Sequence, residues 1–296
     1  MTRVILAMPG NEAMAGAIAE RLDAQLGDLE VRRFPDEESY VRIASRVKGC
    51  DVLIVCTLAR PDSQFVALVF VAETARALGA TSVGLIAPYM AYLRQDKSFR
   101  EGEAVSARYF ARLLSGVFDV VVTIDPHLHR IVALDEVFET PTLALSAAPL
   151  LASWIKTHVA DPLIVGPDSE SEQWAGAIAA SIGAPHIVLS KQRLGDHRVV
   201  LELPDLSAWG RCKPVLIDDI VSSGTTALEA ARLLQMQGFD ELYCLVVHAL
   251  CDAAVRARVK ESFARFVSTD TVPHLTNAIG VAGLIAGALD HGAAPA

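Results

Sequence analysis

The sequence predicts an α/β protein made of two tandem copies of one domain, each a mainly parallel sheet flanked by helices. Three observations carry this expectation. Apolar runs of strand length alternate with segments of helical period. The strand runs are apolar from end to end rather than alternating, as sheets covered on both faces require. Two separate stretches also recur at nearly one offset. "AGAIAERL" at Ala15 returns as "AGAIAASI" at Ala175, an offset of 160 (from 15 to 175). "DVLIVCTLARPDSQFVALVFVAETARALGATSVGLIAP" from Asp51 shares its pattern with "KPVLIDDIVSSGTTALEAARLLQMQGFDELYCLVVHAL" from Lys213, an offset of 162 (from 51 to 213). A fixed offset kept across two stretches is the mark of a duplicated unit.

Taken in order, the first copy offers strands at 4–8 "VILAM", 52–56 "VLIVC", 82–87 "SVGLIA" and 120–124 "VVVTI". Helical spacing is expected over 13–26, 65–78 and 104–114. The second copy offers strands at 163–165, 187–189, 215–217 and 242–248, with helices over 173–182 and 226–237. The boundary falls near "ETPTLALSAAPL" at 139–150, giving domains 1–145 and 146–296. The closing "GVAGLIAGALDHGAAPA" reads as one apolar helix and a loose Ala/Gly/Pro tail.

The bulk numbers narrow the function classes. With 296 residues, 52% hydrophobic and 21% charged, the chain is a folded protein of two domains. Its net charge of −9 argues against general binding to nucleic acid or to an anionic membrane, since both are polyanions. The mean hydropathy of +0.36 suggests much buried surface, a subunit interface included. Cys50, Cys56, Cys212, Cys244 and Cys251 form no CxxC pair and are expected to be buried, reduced thiols. The opening "MTRVILAMPGNEAM" has too short an apolar run for a signal peptide, and no segment reaches roughly 18 uninterrupted apolar residues. A cytoplasmic protein is expected.

The chemistry centres on "PVLIDDIVSSGTT", 214–226. In a parallel α/β sheet, ligands sit beyond the carboxyl ends of the strands. Asp218 and Asp219 are expected there, at the tip of the 215–217 strand. Ser222, Ser223, Gly224, Thr225 and Thr226 then form a turn into a helix that starts near Thr225 or Thr226. Free backbone N–H groups, hydroxyl donors and the positive end of the helix dipole make that turn an anion site. The carboxylates would accept from sugar hydroxyls or bind hydrated Mg²⁺. Vicinal hydroxyls at one end and a phosphate at the other describe ribose 5-phosphate. No GxxxxGK[ST] loop occurs, and the matching loop of the first copy, "CTLARPDSQ", lacks the signal.

Three further segments stand out. "RRFPDEESYVRI" at 32–43 is a charged loop leading to a strand. "PYMAYLRQDKSFREGEAVSARYFARLL" at 88–114 concentrates Arg94, Lys97 and Arg100 after an apolar strand, which suits a polyphosphate. "VVTIDPHLHR" at 121–130 places Asp125, His127 and His129 after another. Spacing alone leaves His127 open between a metal ligand and a polar residue at a domain edge.

In order and spacing, these segments resemble those of the ribose-phosphate pyrophosphokinase (phosphoribosyl pyrophosphate synthetase) family: the 34–38 loop, "RQDK" at 94–97, "DPH" at 125–127, "GPD" at 166–168, "KQR" at 191–193 and the 218–226 loop. The resemblance covers nearly the whole chain. It implies two type I phosphoribosyltransferase-like domains, the first serving ATP and the second ribose 5-phosphate. It implies ATP held by Phe34, Asp36, Glu37 and Glu38 of a neighbouring subunit, with Arg94, Gln95 and Asp96. Phe34 would stack on adenine. Mg²⁺ would be associated with His127 and Asp168, with Asp125 beside them. Ribose 5-phosphate would sit on Asp218, Asp219 and residues 222–226, with Arg193. Lys191 and Arg193 would be catalytic, on a loop that closes over the reacting phosphates. A homo-oligomer, dimer to hexamer, is implied as well.

Two positions depart from the family pattern. Asp36 stands where many members carry Asn, so it accepts from an adenine amino group but cannot donate. "SSGTT" stands where many carry "DTGGT", which puts the usual control by phosphate and ADP in doubt. Two rivals share part of the pattern. A phosphoribosyltransferase that consumes phosphoribosyl pyrophosphate would need the 218–226 loop but not "RQDK" or "FPDEE". A catalytically inactive, nucleotide-binding regulatory paralogue would have no use for Lys191, Arg193, His127 and Asp168.

Overall fold

The structure is a computed structural model and describes residues 2–98, 100–128, 130–168, 171–193, 199–204 and 206–290, with the backbone alone for 191–193 and 199–202. Its contacts divide the chain into two units. The first holds Met1–Leu145, Thr271–Pro273 and the segment from Val281 on; the second holds Ser146–Asp270 and His274–Gly280.

The first unit opens with strand β1 (Arg3–Ala7), helix α1 (Glu12–Arg21) and the short strand β2 (Gln25–Leu26). A hairpin follows, β3 (Leu29–Arg33) and β4 (Ser39–Ile43). Then come β5 (Asp51–Val55), α2 (Pro61–Ala77), β6 (Ser82–Ala87), α3 (Ser106–Ser115), β7 (Val120–Ile124) and β8 (Thr142–Leu145). Six of these strands form one parallel sheet in the order β2-β1-β5-β6-β7-β8. Its central strands are buried along almost their whole length, Val120 to Ile124 included. At about 1.5–3 kcal/mol for each large apolar side chain removed from water, these continuous runs anchor the unit.

The second unit repeats this plan. It contains α4 (Ala148–His158), β9 (Pro162–Gly166), α5 (Glu172–Ile182), β10 (His186–Val188), the hairpin β11 (Ser190–Arg193) and β12 (Val199–Glu202), β13 (Lys213–Val221), α6 (Thr225–Met236), β14 (Tyr243–Ala249), α7 (Ala253–Ser262), β15 (Arg265–Thr269) and β16 (Asn277–Ile279). Its parallel sheet runs β10-β9-β13-β14-β15-β16, strand for strand the order of the first. Each copy also carries an antiparallel hairpin at the same point of the chain order. The expected fold of two mainly parallel, helix-flanked domains is the one observed.

Several elements differ from expectation, each for a local reason. The helix expected over 13–26 ends at Arg21, because Asp23 takes a left-handed φ of +49° and turns Gln25–Leu26 onto β1. The charged 32–43 loop is a hairpin whose Arg32 lies opposite Tyr40, its guanidinium 4.0 Å from the ring centre. The division of the chain also differs from 146–296 at its end. Helix α8 (Ala282–Asp290) packs on α1 of the first unit, where Arg3 donates to the Leu289 carbonyl at 3.1 Å and faces the Asp290 carboxylate at 3.6 Å.

The copies differ most between their third and fourth long strands. The second copy passes from β14 to α7 through 250–252. The first inserts 88–105 between β6 and α3. That addition carries "RQDK".

Candidate active site

In the second unit the expected acid pair lies inside β13 rather than beyond it. The strand runs on to Val221 because Ile220 and Val221 are buried and the ladder to β14 continues, Asp218 opposite Val246 and Ile220 opposite His248. Asp168 follows the neighbouring strand β9. Its loop is closed by Ser171, which donates Oγ to the Asp168 carbonyl at 2.5 Å and its backbone N–H to Oδ1 at 3.3 Å. Asp218 keeps some contact with solvent but sits deep among protein atoms. Burial, then the Asp219 carboxylate, then the more distant charge of Asp168, push its carboxyl well above the ordinary range. The Asp219 backbone N–H donates to Asp218 Oδ1 at 2.9 Å and offsets part of that. Asp218 thus feels two further carboxylates at the carboxyl edge of two adjacent strands. The site is rich in negative charge and suited to cations or to hydroxyl donors.

The turn after β13 covers residues 222–224, and α6 starts at Thr225, where it was expected. Gly224 takes φ +73° as the residue before α6, a conformation that glycine adopts without steric cost. A Cβ at Gly224 would stand 2.8 Å from Val255 Cγ1 of α7, so the position is closed to side chains twice over. Thr225 is therefore a helical residue and needs no left-handed backbone. Its hydroxyl lies 3.0 Å from that of Ser223, and its N–H points to Ser223 Oγ at 3.4 Å. Ser222, Ser223 and Thr225 are exposed and Thr226 is half-buried. Hydroxyls and helix N–H groups surround one turn, an arrangement fit to receive a phosphate.

In the first unit Phe34 to Glu38 form the tip of the β3–β4 hairpin. The Phe34 N–H donates to the Glu38 carbonyl at 2.8 Å and the Glu37 N–H to the Phe34 carbonyl at 2.9 Å, with Glu37 at φ +70°. The Glu38 N–H reaches Asp36 Oδ1 at 3.3 Å. The tip is exposed throughout. The Phe34 ring meets Tyr40 edge-on at 6.0 Å and lies 4.8 Å from the Arg32 guanidinium, leaving ring surface to solvent. Arg94 is exposed and Gln95 half-buried on the 88–105 insertion. Asp96 is buried: Oδ1 accepts from the Arg130 guanidinium and Oδ2 from the Arg130 backbone N–H, both at 3.0 Å. Burial would raise this carboxyl, but the Arg130 N–H, charge and guanidinium outweigh it and hold it below its ordinary value. Asp125, at the end of β7, takes a left-handed φ of +36°, and half-buried His127 follows two residues on.

The fold brings Asp168, Asp218 and Asp219 together with residues 222–226 in the second unit. Arg94 to Asp96, Asp125 and His127 belong to the first. Lys191 and Arg193 lie on β11, opposite Leu201 and Val199 of β12, and "LGDHR" at 194–198 lies outside the described residues, as does His129. Among the described residues no three His, Cys, Asp or Glu side chains converge closely enough to hold a metal. Two participants escaped the sequence reading, Tyr92 and Arg130. Arg130 closes the quoted "DPHLHR", but nothing local tells that it meets a carboxylate 34 positions earlier.

The comparisons with known proteins follow this division. Residues 3–117 match the model of the N-terminal domain of ribose phosphate pyrophosphokinase, and residues 133–282 that of the phosphoribosyl transferase domain. Ribose-phosphate pyrophosphokinase of Methanopyrus kandleri is 35% identical over 292 residues, covering 97% of this chain and 99% of that one. This chain belongs to the ribose-phosphate pyrophosphokinase family. The pyrophosphokinase of Methanosarcina acetivorans is 34% identical, over 96% and 98% of the two chains. Phosphoribosylpyrophosphate synthetase of Mycobacterium smegmatis superposes with a TM-score of 0.86 over 98% of both chains at 24% identity, and so shares the fold. In this chain the region matching the pyrophosphokinase N-terminal domain carries the inserted "RQDK" and the hairpin tip, and the region matching the phosphoribosyl transferase domain carries the acid pair and the 222–226 turn.

Proposed function

We propose that this protein is a ribose-phosphate diphosphokinase: it transfers the diphosphoryl group of ATP to the C1 hydroxyl of ribose 5-phosphate, giving phosphoribosyl pyrophosphate and AMP for nucleotide synthesis. The acid pair beside a phosphate-ready helix start, in a chain that belongs to the family along its length, carries the proposal. The phosphate of ribose 5-phosphate takes the N–H groups and hydroxyls of residues 222–226. Asp218 and Asp219 accept from the vicinal sugar hydroxyls, which orients the anomeric oxygen. ATP is bound by Phe34, Asp36, Glu37 and Glu38 from a neighbouring copy and by Arg94 and Gln95, with Asp96 in the same insertion. The C1 oxygen forms a bond to the β-phosphorus, the bond from that phosphorus to the α–β bridging oxygen breaks, and AMP leaves with that oxygen. The C1 hydroxyl proton passes to solvent.

Charge on the phosphate oxygens has to be neutralised as this happens. Lys191 and Arg193 are assigned that task, with Arg193 also near the sugar phosphate. Mg²⁺, when bound, clamps the phosphates and spreads their charge. Carboxylate oxygens suit that hard cation, and Asp168 lies at the end of the strand next to the one that carries Asp218 and Asp219. His127, Asp168 and Asp125 are assigned to hold it. A homo-oligomer fits the exposed apolar side chains of α2 and α3, where Val66, Phe70, Tyr109 and Leu113 are 47–53% exposed. A cytoplasmic setting fits five unpaired cysteines, and no described helix is long and apolar enough to cross a membrane.

The test is a coupled assay. AMP released from ATP only when ribose 5-phosphate is present supports the diphosphokinase. Pyrophosphate released only when a nucleobase is added points to a phosphoribosyltransferase, and neither activity to a regulatory paralogue.

A further inference from the structure

The 88–105 insertion has no counterpart in the second copy and must be held by something other than the duplicated scaffold. Residues on both sides of Arg94, namely Tyr92, Leu93, Gln95 and Asp96, are anchored to the first unit. Tyr92, at a left-handed φ of +65°, donates its hydroxyl to Asp62 Oδ1 in the first turn of α2 and packs its ring 4.8 Å from that of Phe110 on α3. Leu93 is 2% exposed. The Gln95 carbonyl accepts from the Ala107 N–H in the first turn of α3 at 3.2 Å. Asp96, with its side chain 1% exposed, spends both oxygens on Arg130. Between these anchors the Arg94 side chain faces solvent.

A nucleotide reaching Asp96 would have to displace Arg130 from a buried carboxylate, which costs more than an exposed contact returns. Arg130 lies three residues after His127 on the loop that follows β7. One side chain therefore ties the segment bearing Arg94 to the segment bearing Asp125 and His127. From these contacts we infer that Asp96 is a positioning residue and touches no nucleotide: acting through Arg130, it holds the Arg94–Gln95 segment in register with the Asp125–His127 loop. The inference deepens the proposed function and rests on it for its kinetic consequence.

The test uses the full-length protein as Asp96→Asn, Arg130→Ala, Arg130→Lys and the double variant Asp96→Asn/Arg130→Ala. The steady-state rate of AMP formation is measured against ATP and, separately, against ribose 5-phosphate. Hydrogen exchange is followed over peptides covering 92–97 and 126–131. Misplacing a binding segment by about an ångström costs on the order of a hundredfold. Each of Asp96→Asn and Arg130→Ala is expected to raise KM for ATP by about tenfold to a hundredfold. KM for ribose 5-phosphate stays within about twofold, and Arg130→Lys recovers part of the loss. The double variant should be no worse than the worse single, because both changes break one link. Exchange should quicken in both segments in either single variant.

A double variant whose loss is the product of the singles, or Arg130→Ala with an unaltered KM for ATP, assigns Asp96 to direct contact and overturns the inference. If Asp96→Asn or Arg130→Ala does not fold, Arg130→Lys decides, since it keeps a cation beside the buried carboxylate: a raised KM for ATP with faster exchange in both segments upholds the link, and the absence of both changes overturns it. If the wild-type protein makes no AMP, the proposed function fails, and exchange alone decides the link. Unaltered exchange in both segments removes it; faster exchange in both keeps it.

Discussion

Replacing Gly224 by Ala tests the phosphate turn through its backbone and leaves every polar group of the site in place. Two costs can be worked out. A left-handed residue with a Cβ costs about 1–2 kcal/mol relative to Gly. The new methyl would also lie 2.8 Å from Val255 Cγ1 and 3.4 Å from Val259 Cγ2. Val255 can yield only by leaving its rotamer or by shifting the start of α7, where its N–H is held by the Asp252 cap at 2.8 Å, and overpacking of this kind costs about 1–3 kcal/mol. The sum, about 2–5 kcal/mol, is large against a typical stability of about 5–15 kcal/mol, so the variant folds but is weakened. The strain has two outlets. If the turn holds, the urea midpoint falls. If the turn gives way, the N–H groups of α6 rotate off the phosphate and KM for ribose 5-phosphate rises. Urea titration of each variant, with KM measured alongside, follows both outlets. Gly210→Ala is the control: its φ of −58° is helical, no atom lies within 4 Å of the new methyl, and it should be neutral or stabilising by about 0.4–1 kcal/mol. Adding Val255→Ala to Gly224→Ala should relieve the steric part alone. A Gly224→Ala protein with its midpoint within about 0.5 kcal/mol of wild type, the scatter of ordinary surface changes, and an unchanged KM would refute the reasoning.

Three other outcomes are expected. Lys191→Ala should lower turnover by at least about a hundredfold with an unchanged melting temperature, as for loss of one transition-state charge contact; normal turnover would remove Lys191 from the mechanism. Cys56 is wholly buried, and burial pushes its thiol up to about 12 from an ordinary 9.0. Above pH 9 the unfolded chain loses this proton and the folded one keeps it, so the stability gained from Cys56 is full below pH 9 and falls by about 1.4 kcal/mol per unit as pH rises toward 12. Urea midpoints at pH 8.5 and 10 should therefore drop less in Cys56→Ala than in wild type, and equal drops would count against it. Leu113→Arg, in the exposed apolar face of α3, should shift the molar mass seen by light scattering toward the monomer; an unchanged mass places the subunit interface elsewhere.

The central strands were legible because burial on both faces removes the need for polar alternation, so 52–56, 82–87 and 120–124 announce themselves as apolar runs. Edge elements were not. Strands β2, β8 and β16 are short and partly exposed, and in the β3–β4 hairpin Arg32 lies against Tyr40 where an apolar residue would have been conspicuous. The end of the 215–217 strand was misjudged for a related reason. Two aspartates look like a strand terminus, yet the ladder to β14 carries the backbone past them to Val221.

By itself the sequence determined the duplication, the parallel sheets, and the 222–226 turn with its acid pair, because each is written in residues close together along the chain. Tertiary structure alone decided that α8 packs on the first unit and that Asp96 is taken up by Arg130. It also decided that Gly224 is hemmed in by Val255 and that Asp218 gives up its ordinary acidity to burial and to neighbouring carboxylates. Those are contacts between distant positions, set by which strand lies beside which, and local composition holds no record of them.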